Sequence, residues 1–489
     1  MEYIPFAGVI FVYDIIFLMS ESVLLSGVKL AEMAIAALPF TPLEGQATAL
    51  YKMAEYVVSG LWRDVFVLNG YAGTGKTSVL AALIKALSHC RIKTVVLAPT
   101  GRAAKVAGDM AGKPASTIHR RIYHIVTNGT ETSVRLSPNR DQNTVFIVDE
   151  ASLITDRPRG SLLLDLVRYV YSGQGCRMIL VGDTAQLPPV GQSDSPAMNL
   201  ARLKEIGLAP FSYTLEVPVR QAAESGILYN ATMVRGLLSR LMVGDSGGLS
   251  PGQLPLELRG FPDIRAVSSV DLADELSTSW SSVGPEETLI ITRSNARANR
   301  FNNAIRNMVM YAEEPLQQGD RLVIAKNDYY WGRVNRLKTF LANGETVTVK
   351  WVGKPEKAFG RWFVDTELAL ADGTDMCAKV MLRSLMAEGP AIPKQEMQRL
   401  LELVIDSEEG AGPNEKIMAA MENPYYNALQ AKYAYCVTCH KAQGGQWRHV
   451  YIDMGGIPDD AIGTDFYRWL YTALTRASEK VFVLGVREN

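Results

Sequence analysis

The stretch Val65–Thr77, VFVLNGYAGTGKT, decides the fold. The apolar run Val65–Leu68 reads as a strand and passes directly into Gly70-x4-Gly75-Lys76-Thr77. Helical periodicity follows in SVLAALIKAL, Ser78–Leu87. This strand–loop–helix setting is the one in which G-x-x-x-x-G-K-[ST] holds phosphate. Its glycines let successive backbone N–H groups face an anion, and the helix N-terminus adds its dipole. Gly70, Ala72, Gly73, Thr74 and Gly75 are therefore candidate nucleotide contacts. The Lys76 ammonium suits the β- and γ-phosphates, and the Thr77 hydroxyl suits Mg²⁺. An α/β class with a parallel sheet is expected.

Working outward, a nucleotide site needs a second strand bearing carboxylates. Thr144–Val148 is a buried-strand pattern ending in Asp149-Glu150. Asp149 is expected to hold Mg²⁺ through its water shell, and Glu150 to orient and deprotonate the attacking water. A third strand, RMILVGDTAQLPPVG, ends at Gly182-Asp183 and carries Gln186, whose amide can read a γ-phosphate through one hydrogen bond. Arg220 in LEVPVRQ and Arg476 in RWLYTALTRASEKVFVLG are candidate cations for the departing phosphate, each a surface ion-pair residue if taken alone.

Composition bounds the rest. The chain has 489 residues, 47% hydrophobic and 21% charged, which fits about three domains and argues against disorder. Lys and Arg (50) nearly cancel Asp and Glu (51), so net charge makes no case for a polyanionic partner and any basic surface is local. Five dispersed cysteines exclude a disulfide framework and point to a reducing cytoplasm. The apolar stretch Tyr3–Met19 has no Lys or Arg ahead of it, as a signal peptide requires, since the first basic residue is Lys29. As a membrane span it would carry Asp14 near its centre, at a cost of about 2.5–3.5 kcal/mol. A packed extension is expected, or a true start at Met19 or Met33, and no membrane association.

Other segments fit nucleic acid better than nucleotide. TVVLAPTGRAAKVA is a strand turning through Pro99-Thr100-Gly101 into a helix, with groups able to clasp backbone phosphates and with Arg102 and Lys105 adding charge. ASTIHRRI brings Thr117 and His119 beside Arg120 and Arg121. Two β segments then meet at Asn128-Gly129, a hairpin signal that fits either a duplex-splitting wedge or a surface insertion. In LIITRSNARANRFNNAIR a strand enters a helix, with Asn295 and Arg297 as strand contacts or Asn295 as a helix cap. Cys436-x-x-Cys439-His440 has the spacing of a haem attachment site, but KAQGGQW leads straight into another strand. Zinc would need a second ligand pair. Thr438, His440 and Lys441 instead suit a nucleic-acid backbone, Gln443 the nucleotide cleft, and the cysteines packing.

Taken in order, GYAGTGKT, APTGRAAK, STIH, VDEAS, GDTAQLPPV, VRQ, CHKAQG and YTALTRA resemble the superfamily-one helicases of the 5′-to-3′ branch, near RecD and nearest the phage Dda type. The resemblance runs from about Thr41 to Gly485, with residues 1–40 outside it. It implies two RecA-like P-loop motor domains. The first is 41–213, with a β-hairpin insertion (1B) at about 113–142. The second is 214–310 with 432–489, interrupted at 311–431 by an SH3-like β-barrel (2B). Within that insertion Asn343-Gly344 and Asp372-Gly373 mark hairpins, DSEEGAGPNEK reads as a linker, and Tyr329, Tyr330, Trp331 and Trp351 are core residues or base-stacking platforms. Gln46 matches the family's adenine-reading glutamine, which implies ATP. Cys439 departs from the family pattern at one DNA contact.

The implied activity is ATP-dependent 5′-to-3′ translocation on single-stranded DNA with duplex unwinding, in replication, recombination or repair. The implied partners are single-stranded DNA, single-strand/duplex junctions and single-strand-binding or replication proteins, with the chain a cytoplasmic monomer. A RecD-like subunit of a larger nuclease is the alternative, though no nuclease-like carboxylate cluster is present. A non-catalytic DNA-binding scaffold conflicts with intact Lys76, Asp149, Glu150, Arg220 and Arg476.

Overall fold

The computed structural model describes residues 27–128, 131–158, 160–219, 225–244, 256–337, 340–408, 412–456 and 462–486. The N-terminal apolar stretch, Gly129 and Arg220 lie outside the described residues. Among the described residues no helix is long and apolar enough to cross a membrane.

The first half supplies β1 (Asp64–Gly70), β2 (Lys93–Ala98), β3 (Ala115–Thr117), β4 (Tyr123–Asn128), β5 (Glu131–Leu136), β6 (Thr144–Val148), β7 (Arg177–Gly182) and β8 (Ala209–Leu215). Six of them form one parallel sheet in the order β3-β2-β6-β7-β1-β8. Because successive side chains of a strand point to opposite faces, a sheet with helices on both sides needs unbroken apolar strands. Accordingly Val65 and Val67 of β1 join one core with Leu97, Phe146 and Met178. Phe66 and Leu68 join the core on the other face, with Leu83, Ile147 and Ile179. The helix at residues 27–36 buries Leu30, Ala31 and Ala34 in that second core, so this part of the N-terminal extension packs on the first sheet. The strands β4 and β5 stand apart as an antiparallel pair, in register from Tyr123↔Leu136 to Asn128↔Glu131.

Downstream come β9 (Ile264–Val267) and β10 (Thr288–Thr292), then β11 (Arg321–Ile324), β12 (Thr346–Val352), β13 (Glu356–Ala358), β14 (Arg361–Leu370), β15 (Asp375–Met381) and β16 (Ala431–Tyr433). The chain finishes with β17 (Cys436–Thr438), β18 (Trp447–Asp453) and β19 (Ala477–Leu484). The strands β11 to β16 make an antiparallel sheet in the order β13-β14-β12-β11-β16, with β15 on β14. The remaining five form a second parallel sheet, β17-β10-β18-β19-β9. A segment of more than a hundred residues thus leaves the second parallel sheet after β10 and returns to it at β17, beside the strand it left.

Two local readings in that segment need correction. Asp372-Gly373 does join β14 to β15, with Gly373 at φ +82°. Asn343-Gly344 is a turn, but it links an isolated bridge at Leu341 to β12 rather than closing a two-strand hairpin. The supposed linker DSEEGAGPNEK is largely the junction of two helices, Lys394–Ser407 and Pro413–Met421, whose Leu400, Val404 and Ala420 share a small core. Among its described residues, Asp406 and Glu415 lie on the exposed faces of these helices.

Candidate functional site

Parallel strands deliver their carboxyl ends to one side of a sheet, and ligands collect there. The phosphate-directed residues sit at the ends of β6, β7 and β1, which are neighbours in the first sheet. They open onto a cavity of ≈ 370 Å³ lined by Ala72, Gly73, Gly75, Lys76, Thr77, Asp149, Glu150, Asp183 and Gln186. The second parallel sheet closes it with Gly444, Thr475 and Arg476. Apolar walls come from Val106 and Met110 on one side and from Val219, Ile227 and Leu228 on the other.

The glycine loop is held as its sequence requires. Gly75 caps the helix Lys76–His89 at φ +79°, a left-handed conformation. A Cβ there would stand 2.5 Å from Gln46 Nε2, so glycine is needed for space as well. Lys76 lies across the loop, its ammonium donating to the carbonyls of Gly70 and Tyr71, 3.9 Å from Asp183. Thr77 and Asp149 face the cavity together, a hydroxyl and a carboxylate of the kind that suits Mg²⁺ beside phosphate. Burial and the neighbouring Glu150 push the Asp149 carboxyl up to about 6, against the pull of the Glu150 N–H and Lys76. A cation at Asp149 would relieve that cost, so the residues present fit the metal.

Glu150 occupies the left-handed region, φ 51° and ψ 37°, which is rare for a residue with a side chain and frequent at active sites. Its N–H donates to Asp149 Oδ1 at 2.9 Å, holding the strained turn. Arg476 approaches to 3.8 Å from Glu150 Oε1 and is only 3% exposed. Its guanidinium is fixed by the carbonyls of Thr472 and Gly445, each at 3.1 Å, and by the Thr475 hydroxyl. Gln186 is buried at the cavity wall with its amide oxygen unpaired. An orphaned acceptor there fits a group that meets water or a ligand in the cleft.

Some expected nucleotide contacts are placed elsewhere. Gln46 does not line the cavity: its amide accepts from the Leu43 N–H and donates to the Thr74 carbonyl, both at 3.0 Å, bracing the loop from behind. Thr74 is fully buried, with its hydroxyl on the Tyr71 carbonyl. Gln443, expected in the cleft, instead donates to the Leu187 carbonyl and ties the two parallel-sheet units together. Arg220 lies outside the described residues. Tyr471 was not anticipated: its hydroxyl donates to Asp183 at 2.7 Å and accepts from the Ala72 N–H at 2.8 Å. The signal was available, since Tyr471 stands in the last turn of the helix Thr464–Leu474 and Arg476 follows just past its end.

The nucleic-acid candidates fall at four further strand ends. Pro99–Gly101 follow β2, and Thr117 and His119 follow its neighbour β3. Asn295 follows β10, and Thr438, His440 and Lys441 follow its neighbour β17. Thr100 and Thr117 are each spent partly as helix caps, accepting from Ala103 N and Arg120 N. Ser294, not Asn295, caps the helix Asn295–Met308. His119 packs between Tyr123 and Phe340, and burial lowers its pKa. His440 is exposed, whereas Lys441 points its ammonium inward, where it is buried and unpartnered. Arg297 is engaged by Asp453 in a bidentate pair. Cys436 and Cys439 are buried in apolar cores. Trp331 is core, its indole donating to the Asn427 carbonyl, while Trp351 is exposed.

Residues 44–224 match the family model described as an AAA domain, and residues 433–484 match the UvrD-like helicase C-terminal domain. The chain is 30% identical over 297 residues to the ATP-dependent RecD2 DNA helicase of Deinococcus radiodurans, covering 58% of this chain and 36% of that protein. It is 28% identical over 263 residues to the ATP-dependent DNA helicase dda of Enterobacteria phage T4, covering 53% and 55%. The chain thus spans about half or less of the length of these relatives. The crystal structure of Pif1 helicase from Bacteroides with ADP-AlF3 and ssDNA aligns with TM-score 0.44 and 15% identity, over 92% and 94% of the two chains.

Proposed function

We propose that this chain, whose resemblance to RecD- and Dda-type helicases the matches bear out, is an ATP-driven motor that moves 5′ to 3′ on single-stranded DNA and separates duplex ahead of it. One observation carries the reading. A single cleft is lined by Lys76, Thr77, Glu150 and Gln186 from one parallel sheet and by Arg476 from the other. A nucleotide seated there touches both units, so its binding and loss change how they pack. ATP fits the donor set, and Mg²⁺, held by Thr77 and Asp149, supplies charge neutralisation at the phosphates when bound.

In this reading Lys76 leaves its loop carbonyls for the phosphates, and Glu150 accepts the proton of the attacking water. Gln186 reports the γ-phosphate, and Arg476 neutralises charge that develops as the bond breaks. Gln46 would reach adenine only by exchanging its contacts behind the loop. Pro99–Gly101 with Thr117 and His119, and Asn295 with Thr438–Lys441, grip the strand alternately from the two sheets.

We assign the motor domains close to the expected 41–213 and 214–310 with 432–489, with the limits corrected to 41–215 and to 216–310 with 434–489, because β8 runs to Leu215 in the first sheet and β16 to Tyr433 in the antiparallel one. The β4–β5 pair is then the 1B insertion and the antiparallel β11–β16 sheet the SH3-like 2B insertion. Protein partners would be single-strand-binding or replication factors. Phosphate release with and without single-stranded DNA tests the ATPase. Unwinding of duplexes bearing a 5′ or a 3′ tail tests the polarity: activity on the 3′-tailed substrate alone would overturn it.

A further inference from the structure

Arg102 was expected to add charge for DNA phosphates, because it follows Pro99-Thr100-Gly101 in the first turn of the helix Gly101–Ala111. The structure turns it the other way. Its guanidinium lies 4.1 Å over the ring of Trp447 on β18, donates to the Gln446 carbonyl, and pairs with Glu287 at 3.3 Å. All three partners belong to the second parallel-sheet unit. Its plane is stacked on Trp447 and its Nη2 is shared between the Gln446 carbonyl and Glu287, so Arg102 is committed to the second unit in this arrangement.

What it touches leads back to the nucleotide cleft. The Gly445 carbonyl accepts from Arg476 Nη1 at 3.1 Å. A Cβ on Gly445 would stand 2.4 Å from the Trp447 ring and 3.1 Å from Arg102 Cδ. One on Gly444 would stand 2.9 Å from the Thr100 hydroxyl. The Gly444-Gly445 pair is therefore what lets the two units approach here. The connection from Arg476 to the loop after β2 runs through its hydrogen bond to Gly445, the backbone from Gly445 to Trp447, the Trp447–Arg102 stack, and the backbone from Arg102 back to Thr100.

Resting on the motor reading above, the geometry points to Arg102 as a positioning residue: its clasp on Trp447 and Glu287 transmits displacement of Arg476 in the nucleotide cleft to the Thr100 loop that holds the strand. Coupling of this kind needs an element that both sites bias, and here it would be the hydrogen bond and the stack joined by short lengths of backbone. A phosphate contact, by contrast, would leave the guanidinium facing solvent.

The test uses the full-length chain with Arg102→Met, Arg102→Lys, Glu287→Gln and the Arg102→Met/Glu287→Gln double variant. Two quantities are read: the ratio of hydrolysis with and without oligo(dT), and the salt dependence of oligo(dT) binding. Arg102→Met is expected to lower the ratio at least about fivefold, the lower end of measured site-to-site couplings. The salt slope should stay unchanged. Arg102→Lys, which keeps a cation over the ring, should recover part of the ratio, and the double variant should fall no further than Arg102→Met, as members of one clasp do. A salt slope shallower by about 0.7 would make Arg102 a phosphate contact and overturn the proposal. So would an unchanged ratio, or a variant that fails to fold. If the unmodified chain shows no stimulation by oligo(dT), it is the motor reading that fails.

Discussion

Lys441→Met separates stability from function more sharply than any other substitution in this chain. The Lys441 ammonium is buried without a hydrogen-bond partner, and burial brings its pKa from 10.5 down to about 8. Lys432 is lowered to about 8 too, by burial and then by the Lys441 charge. At 1.36 kcal/mol per pH unit, the Lys441 difference amounts to about 3 kcal/mol of opposition to folding while the group is charged. The sign follows from linkage. Between about pH 8 and 10.5 the unfolded chain binds more protons than the folded one, so stability rises with pH across that window and is flat below it. Met fills the same space without the charge. The variant should therefore melt higher than the parent at pH 7, and the difference should close as pH approaches 10. The later, smaller rise that remains would belong to Lys432. Midpoints of thermal or urea transitions at pH 7 and 9.5 are the assay, compared as shifts because a chain with several cores is not expected to unfold in one step. In the motor reading the ammonium turns out of the fold onto a strand phosphate when DNA binds, so Lys441→Met should also weaken oligo(dT) binding and make its salt slope shallower by about 0.7. A variant that melts lower at pH 7, or keeps the full rise toward pH 10, would show that the ammonium is compensated in the fold and refute the reasoning.

Three further outcomes follow from the cleft. Lys76→Ala should lower DNA-stimulated phosphate release by at least about 10²-fold, the cost of losing one preorganised charge donor; near-parental turnover would break the assignment. Glu150→Gln should lower turnover by about 10²–10⁴ while nucleotide affinity stays within a few-fold, read by fluorescent-nucleotide titration against single-turnover hydrolysis. Arg476→Ala should cost about 10³–10⁵ in turnover, and Arg476→Lys should restore little, since one ammonium cannot keep the Thr472, Gly445 and Thr475 contacts at once.

Much of the placement of the phosphate-directed residues was legible because such motifs are written locally. The loop after β1, the acidic pair after β6 and Gln186 after β7 are each a few consecutive residues, and an apolar strand ahead of each fixes where it emerges onto the shared cavity. Residues whose role depends on the partner unit were not legible. Gln443 and Arg102 look like nucleotide or phosphate ligands in isolation, yet both are used to join the two units. Gln46 shows the same limit: matching a motif places it near the loop, and only packing decides that it faces the Thr74 carbonyl. DSEEGAGPNEK reads as a linker because its acidic, glycine-containing centre dominates a short window, although its two ends belong to the helices Lys394–Ser407 and Pro413–Met421. Their apolar positions pack on each other and on Phe363, and so become visible only in the fold.

On the motor reading proposed above, the strand order gives a physical reason why hydrolysis and strand binding would be coupled without sharing residues. In the first sheet the nucleotide-bearing ends of β6, β7 and β1 are contiguous, and the strand-directed ends of β2 and β3 are the next two positions along. In the second sheet the strand-directed β17 and β10 are again neighbours, separated by β18 from β19, at whose start Arg476 stands. Each unit therefore presents a nucleotide region and a strand region side by side on one rigid sheet. A rotation that closes the cleft around Arg476 and Glu150 must also change the spacing between the Thr100 loop and the Thr438–Lys441 turn. The close approach at Gly444 and Gly445 leaves no room for an added side chain. Bulk at either glycine should therefore act on the coupling between the two regions before it acts on the affinity of either one.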